Sequence, residues 1–312
     1  MQDNIIKLDE TTELDTIKDF IRFGVSIMEQ STIFYGHGTD NSFDEMIYLI
    51  YGYLNLPFDK LEFYLDTKLT KKEKIAICEL LNKRIYQNIP TAYLINKAYL
   101  NNFEFYIDTR SIIPRSFIAN IILNDQLLPY IEHRELVTNV LDLCTGNSSL
   151  AIIAAHYFYD SNVVASDISQ DALDIAQINI DNYNLNHVIT PIKSNLFDEL
   201  DQYQNTFDVI ISNPPYVDNH RMEKLPAEYL YEPQLSLAGG TNGIELVEKI
   251  LVQASYYLND FGILIIEMGD NKEELEDKYP ELELKWFDTE NNEGFIFLVT
   301  KEVLVEYFNN EQ

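Results

Sequence analysis

Apolar positions in the first hundred residues recur at helical spacing. Leu14, Ile17, Phe20, Ile21, Val25 and Met28 share one helical face. Ser42-Phe43-Asp44-Glu45 and Thr70-Lys71-Lys72-Glu73 have the form of capping boxes ahead of further apolar-periodic runs. Pro57 and Pro90 mark breaks between helices. From Tyr99 to Ile113 the pattern changes to alternating aromatic and branched residues around Asn101-Asn102, which predicts a β-hairpin. Beyond Asn139, short β-branched runs alternate with helical patterns. Strands are predicted over 139–144, 163–168, 188–193, 207–212 and 262–268, and helices over 149–158, 169–183, 242–259 and 271–279. Such alternation implies an α/β fold, a mostly parallel sheet with helices on both faces. Leu284–Asp288 and Phe295–Lys301 predict two closing strands around the turn Asn291-Asn292-Glu293-Gly294, placing an antiparallel strand in the sheet. The expected organisation is a helical, substrate-recognising domain over 1–97, a hairpin linker over 98–113 and an α/β domain over 114–312.

A chain of 312 residues accommodates one large and one smaller domain. Its 51 acidic and 22 basic residues give a net charge of −29, which opposes a phosphate-binding surface, so direct nucleic-acid binding is not expected. Such acidity suits a basic protein partner, or solubility alone. Cys78 and Cys144 are too few for a disulfide framework or a thiolate metal site. His37, His133, His156, His187 and His220 show no ligand spacing, so no metal is expected. His37, between Gly36 and Gly38, suits either a turn contacting a partner or a plain interhelical turn. Met1–Glu10 carries acids and no long apolar run, and no window approaches the ~20 apolar residues of a membrane span. A cytoplasmic location is expected.

The chemistry concentrates at Asn213-Pro214-Pro215-Tyr216, directly after the predicted strand Phe207–Ser212. Two prolines cannot continue the ladder and fix a rigid loop at the carboxyl edge of the sheet, where open α/β sheets place ligands. The Asn213 carboxamide and the Pro214 carbonyl can accept hydrogen bonds from an –NH2 group, and Tyr216 offers a ring to pack on it. This suits methylation of a planar, weakly nucleophilic nitrogen. The loop 217–241 that follows is long for a plain connection, which favours a substrate-facing lid.

A second constellation precedes it. The strand ending Asp142-Leu143-Cys144 leads through Thr145-Gly146-Asn147-Ser148 into an apolar helix, and Asp167 ends the next strand about 20 residues past the glycine. An acid at that distance holds a ribose diol in nucleotide-binding sheets. The turn lacks full GxGxxG spacing and no P-loop lysine follows, which disfavours a phosphate ligand. S-adenosylmethionine (SAM), with ribose, adenine and a positive sulfonium, fits better. Asp142 can favour the positive charge, Asn195 can pair with the adenine edge and Leu196 can cover a face. Singly, Asp142 and Asp167 read as structural or capping acids, and Leu196 and Phe197 as core. Their order along the chain carries the signal.

With these residues in place the chain resembles the N(5)-glutamine methyltransferases that modify proteins of the translation apparatus. The resemblance rests on Tyr106-Ile107-Asp108 through Pro114-Arg115-Ser116, Leu141–Gly146, Ser166–Ser169, Asn213–Tyr216, Glu228-Tyr229 to Glu232-Pro233, and Gly239–Gly243. Phe34-Tyr35-Gly36-His37-Gly38-Thr39-Asp40 is similar to the branch acting on the large-subunit ribosomal protein L-three, rather than the release-factor branch. The resemblance implies a SAM-dependent Rossmann-like enzyme that methylates a glutamine amide of a large-subunit ribosomal protein, free or in pre-ribosomal particles. Asn213, Pro214 and Tyr216 are then catalytic, with Pro215 in the substrate site. The cofactor falls to Asp142, Cys144, Thr145, Gly146, Asn147, Ser148, Asp167, Asn195, Leu196 and Asn213. The alternatives are release-factor glutamine methylation, amino-group methylation of nucleic acid, and a non-catalytic ribosome-assembly factor. Two positions depart from the family: Ser148 replaces a glycine, where a side chain can crowd the cofactor, and Asn195 replaces an acid.

Overall fold

A computed structural model of the chain describes Ile6 and residues 11–131, 133–287 and 296–310. It divides into two compact units: Met1–Ala98 with Ile107–Thr109 and Leu225–Tyr231, and the remainder of the chain.

The first unit is helical, with α1 (Ile17–Met28), α2 (Ser42–Leu54), α3 (Leu61–Tyr64), α4 (Lys71–Gln87) and α5 (Thr91–Ile95). Phe20, Met46, Leu49, Ile50, Ile77 and Leu81 are wholly buried between them. The capping box at Thr70 and Glu73 forms as expected. The one at Ser42 does not: Asn41, an equally good cap, accepts the Asp44 N–H, while the Ser42 hydroxyl donates to Glu29. A box at Thr16 closes on Asp19 instead of the usual Glu or Gln. At the centre of this unit lies Arg84. Its guanidinium reaches Glu45 (2.5 Å), Glu228 (3.1 Å) and the Phe34 carbonyl (2.7 Å). His37 lies in the bend between α1 and α2, buried with its ring 4.5 Å from that of Tyr229.

A two-stranded hairpin follows, of β1 (Lys97–Leu100) and β2 (Phe103–Tyr106), with Asn101 at its turn in the left-handed region. It ends at Tyr106 rather than Ile113. Helix α5 runs to Ile95, which leaves β1 four residues long, so the two-stranded ladder closes at Tyr106.

The second unit continues with α6 (Ile118–Leu123), β3 (Asn139–Leu143), α7 (Ser149–Tyr157), β4 (Asn162–Asp167), α8 (Gln170–Asn182), β5 (Ile189–Lys193) and β6 (Phe207–Ser212). After β6 come α9 (Asn219–Met222), α10 (Glu245–Tyr257), β7 (Leu258–Glu267), α11 (Lys272–Lys278), β8 (Lys285–Phe287), β9 (Ile296–Thr300) and α12 (Lys301–Asn310). The strands form one sheet in the order β5-β4-β3-β6-β7-β9-β8. The first five are mutually parallel and β9 runs antiparallel between β7 and β8. The expected turn at 291–294, with Asp288 and Phe295, lies outside the described residues. Alternate residues serve two cores. Val140, Val209, Ile211 and Ile265 face the layer of α6 and α7, while Leu141, Leu143, Ile210 and Leu264 face that of α10 and α12. Pro191 is tolerated because β5 is an edge strand. Strand β7 begins at Leu258, earlier than the pattern suggests, because the ladder shifts register between Phe207 and Val209. Gly262 allows this: a methyl there would lie 2.8 Å from the Phe207 carbonyl oxygen. The chain order reverses between β3 and β6, a switch point of the kind beyond whose carboxyl strand ends open α/β sheets place their ligands.

Candidate active site

The floor of the site is the paired end of β3 and β6. Leu143 and Ser212 are in register, and the Ser212 hydroxyl donates to the Leu143 carbonyl at 2.8 Å. The chain leaves the sheet here as Cys144 on one strand and Asn213 on the other. Asn213 is half-buried, and among the described residues no protein group hydrogen-bonds its carboxamide. Pro214 is buried, and Pro215 and Tyr216 are half-buried. Beyond them Val217 donates to Leu237 and accepts from Gly239, so the loop's two ends are stitched together. The loop between is not irregular: it carries α9 and two 3-10 turns, at Ala227–Tyr231 and Gln234–Ser236.

On the β3 side the turn is built by positive φ at Cys144 (+62°), Gly146 (+57°) and Ser148 (+63°). Asp142 is buried behind it, accepting from the Thr145 hydroxyl (2.5 Å) and the Ala151 N–H (2.9 Å). Its second oxygen is buried with no hydrogen-bond partner among the described residues. Desolvation pushes its carboxyl up to about 7, against the two hydrogen bonds and aided by nearby Asp167. Ser148 is fully buried with its hydroxyl 3.4 Å from that of Thr145, so its side chain points into the protein. Asp167 accepts from Gly146 N–H and Ser169 N–H, both at 2.9 Å, and burial raises its carboxyl. The carboxylate retains lone-pair capacity for a hydroxyl donor. Burial first, then Asp167 and Asp142, push the Cys144 thiol up, which favours its neutral form.

Asn147 is buried: its carboxamide donates to the Ile112 carbonyl (2.7 Å) and accepts from Ser149. Asn195 is exposed and donates to Asp198. Leu196 is buried in left-handed backbone as part of the sheet's second core, and Phe197 stacks on Tyr257. The structure thus gathers Asp142, Thr145, Gly146, Asn147, Ser148 and Asp167 around one turn. Leu196 is largely given over to packing.

Three groups outside the predicted set complete the site. Asn179 of α8 is buried, accepting from Tyr106 N–H and donating to the carbonyls of Tyr106 and Asn147. An Asn on the apolar face of α8 was the available signal. Glu232 is buried and takes both arms of Arg115, at 2.6 and 2.8 Å, with the Ile113 N–H. Glu267 ends β7 and accepts from Ser116 Oγ (2.6 Å) and Phe117 N–H (2.9 Å), and desolvation pushes its carboxyl up to about 7. Its signal was an acid closing the apolar run Ile263–Ile266. Pro114-Arg115-Ser116 therefore ties the returning loop and the end of β7 to the segment lying over Gly146, which Ile112 approaches. No cluster of metal-ligating side chains occurs among the described residues.

A methyltransferase-domain family model matches residues 136–302. The ribosomal protein uL3 glutamine methyltransferase of Neisseria meningitidis serogroup B is 47% identical over 293 residues, covering 94% of this chain and 95% of that one. The enzyme of the same name from Burkholderia pseudomallei is 42% identical, covering 92% and 95%. Among solved structures, the hMettl16 catalytic domain in complex with a MAT2A 3'UTR hairpin aligns with a TM-score of 0.51 at 15% identity. That alignment spans 81% of this chain and 90% of that one, a likeness of fold alone.

Proposed function

Because this chain belongs to the family of ribosomal protein uL3 glutamine methyltransferases, we propose that it methylates the side-chain amide nitrogen of a glutamine in that ribosomal protein. The observation that carries the reading is the Asn213 carboxamide, half-buried at the carboxyl end of β6 and without a hydrogen-bond partner among the described residues. A carboxamide so placed keeps its oxygen and its N–H groups for solvent or a ligand. A glutamine amide is planar, its nitrogen lone pair delocalised into the carbonyl. Asn213 Oδ1 and the Pro214 carbonyl accept its two N–H hydrogens and turn the nitrogen toward the β3 side of the crevice. Tyr216 packs on the amide and excludes water. Orientation of this kind can be worth ~7–11 kcal/mol.

The β3 turn fits S-adenosylmethionine as methyl donor. Asp142 and Asp167 give this edge of the sheet a negative field that suits a cation, and Asp167 has lone pairs open for a ribose diol. Gly146 lets the backbone approach closely, and Ser148 keeps its hydroxyl inside the turn. When bound, the cofactor supplies an electrophilic methyl group. The amide nitrogen that receives it gains a positive charge and is then strongly acidic, so its proton passes to water as the product leaves Tyr216, which is why no dedicated base is required of the chain.

The test is methyl transfer from labelled SAM to unmethylated large-subunit ribosomal proteins, with mass spectrometry locating the label. Label is expected on one glutamine of uL3, and Asn213→Ala should lower turnover by about 100-fold. Turnover within a few-fold of wild type would sink this role for Asn213. Label on release factors or on RNA would redirect the substrate assignment.

A further inference from the structure

Tyr216 is held more tightly than a loop residue needs to be. Asn271 is buried and stands at the N-cap of α11, yet its side chain makes no capping bond to that helix. Asparagine is among the best capping residues, and here it is turned away from its own helix. Its Nδ2 donates instead to the Tyr216 carbonyl at 2.8 Å and to the Met268 carbonyl at 3.1 Å. Three glycines close on the same residue. A methyl at Gly239 would meet the Tyr216 Cα at 2.6 Å, and one at Gly269 would meet the Tyr216 ring at 2.7 Å. One at Gly243 would lie 2.5 Å from the Tyr216 carbonyl oxygen and 2.7 Å from Asn271 Nδ2. Gly243 and Gly269 also adopt positive φ. Tyr216 is thus fixed through its carbonyl, its Cα and its ring. Upstream, Pro214 and Pro215 allow little rotation between it and Asn213.

We propose that Asn271 is a positioning residue for methyl transfer. By anchoring the Tyr216 carbonyl to the end of β7, it sets the angle at which Asn213 and Pro214 present their acceptor oxygens. The inference rests on the reading of the site as a glutamine methyltransferase. It adds that the loop is aimed from the β7–α11 junction, by a residue that does not itself touch substrate.

Asn271→Asp is nearly isosteric but places an oxygen against two carbonyl oxygens, Asn271→Ala removes the bond, and Gly269→Ala displaces the Tyr216 ring. The full-length variants are compared with wild type for kcat and KM with uL3, for SAM affinity by calorimetry, and for hydrogen exchange across 213–222. The expected result is a fall in kcat of about 10- to 100-fold, with SAM affinity within about twofold of wild type. Exchange at the Val217 amide should quicken in Asn271→Ala. Wild-type kcat in both Asn271 variants overturns the proposal, as does an equal loss of kcat and SAM affinity, which marks a merely structural role. Should Asn271→Asp fail to fold, Asn271→Ala and Gly269→Ala decide the matter. Absence of methylation by wild-type enzyme would refute the functional reading instead, and unchanged exchange in Asn271→Ala would then refute the positioning.

Discussion

Two carboxyls at the carboxyl edge of the sheet, Asp142 and Glu267, are held up to about 7 by desolvation. The ordinary carboxylate range lies near 4. Between about pH 4 and 7 the folded protein therefore binds more protons than the unfolded chain. The stability these groups contribute is complete below the unfolded pKa and is lost as pH rises through the folded one. The urea midpoint of cofactor-free protein should accordingly fall between about pH 5 and pH 8, and Asp142→Asn should flatten part of that slope. A slope unchanged in Asp142→Asn would take Asp142 out of the account. A cation bound at this edge works the other way, so SAM affinity should tighten over the same range. The residues of the turn were legible because Asp142, Thr145 and Gly146 act within a few positions of one another. Asn179, Asn271 and Glu267 were not, since their partners lie 73, 55 and 151 residues away. Ser148 illustrates the limit of a residue-by-residue comparison. Ser148 takes left-handed backbone as a glycine would, and its side chain turns inward to Thr145.

At the scale of elements, apolar pattern located every strand of the sheet, because buried parallel strands are continuous β-branched runs. It failed where a neighbour decided the outcome. The hairpin stops where its partner strand runs out, β7 extends through a register shift, and Asn41 displaces Ser42 as a cap. The loop after Tyr216 is the sharpest case, because Leu225–Tyr231 belong to the helical unit. They are held there by Glu228, which takes the Phe34 N–H and shares Arg84 with Glu45. The Arg84 and Glu228 side chains are 2% exposed, so removing one partner leaves buried charge uncompensated. Arg84→Met is expected to cost about 3–5 kcal/mol, measured by chemical denaturation. It should also release the loop, so that trypsin cuts at exposed Arg221 and Lys224 faster than in wild type. Cleavage at the wild-type rate in a destabilised variant would show that the loop does not depend on this ion cluster.

For the whole molecule, the crevice follows from topology. It lies between β3 and β6 because the chain reverses its order across the sheet there, which no local pattern announces but which strand-helix alternation implies. The net charge of −29 acts at the same scale, since a long-range field depends on total charge more than on any single side chain. If the substrate of the proposed reaction is basic, this acidic surface should capture it by electrostatic steering, which raises association rates by roughly 10- to 1,000-fold at low salt. The prediction is a rate effect: kcat/KM for the protein substrate falls steeply as ionic strength rises beyond the point where the Debye length reaches ~10 Å. Turnover at saturating substrate should change far less, because half-buried groups such as Asn213 are screened less than exposed charges. Stopped-flow association at several salt concentrations separates the two. A salt-independent association rate would mean that the acidic surface serves solubility alone, and that recognition of the substrate protein rests on shape and apolar contact.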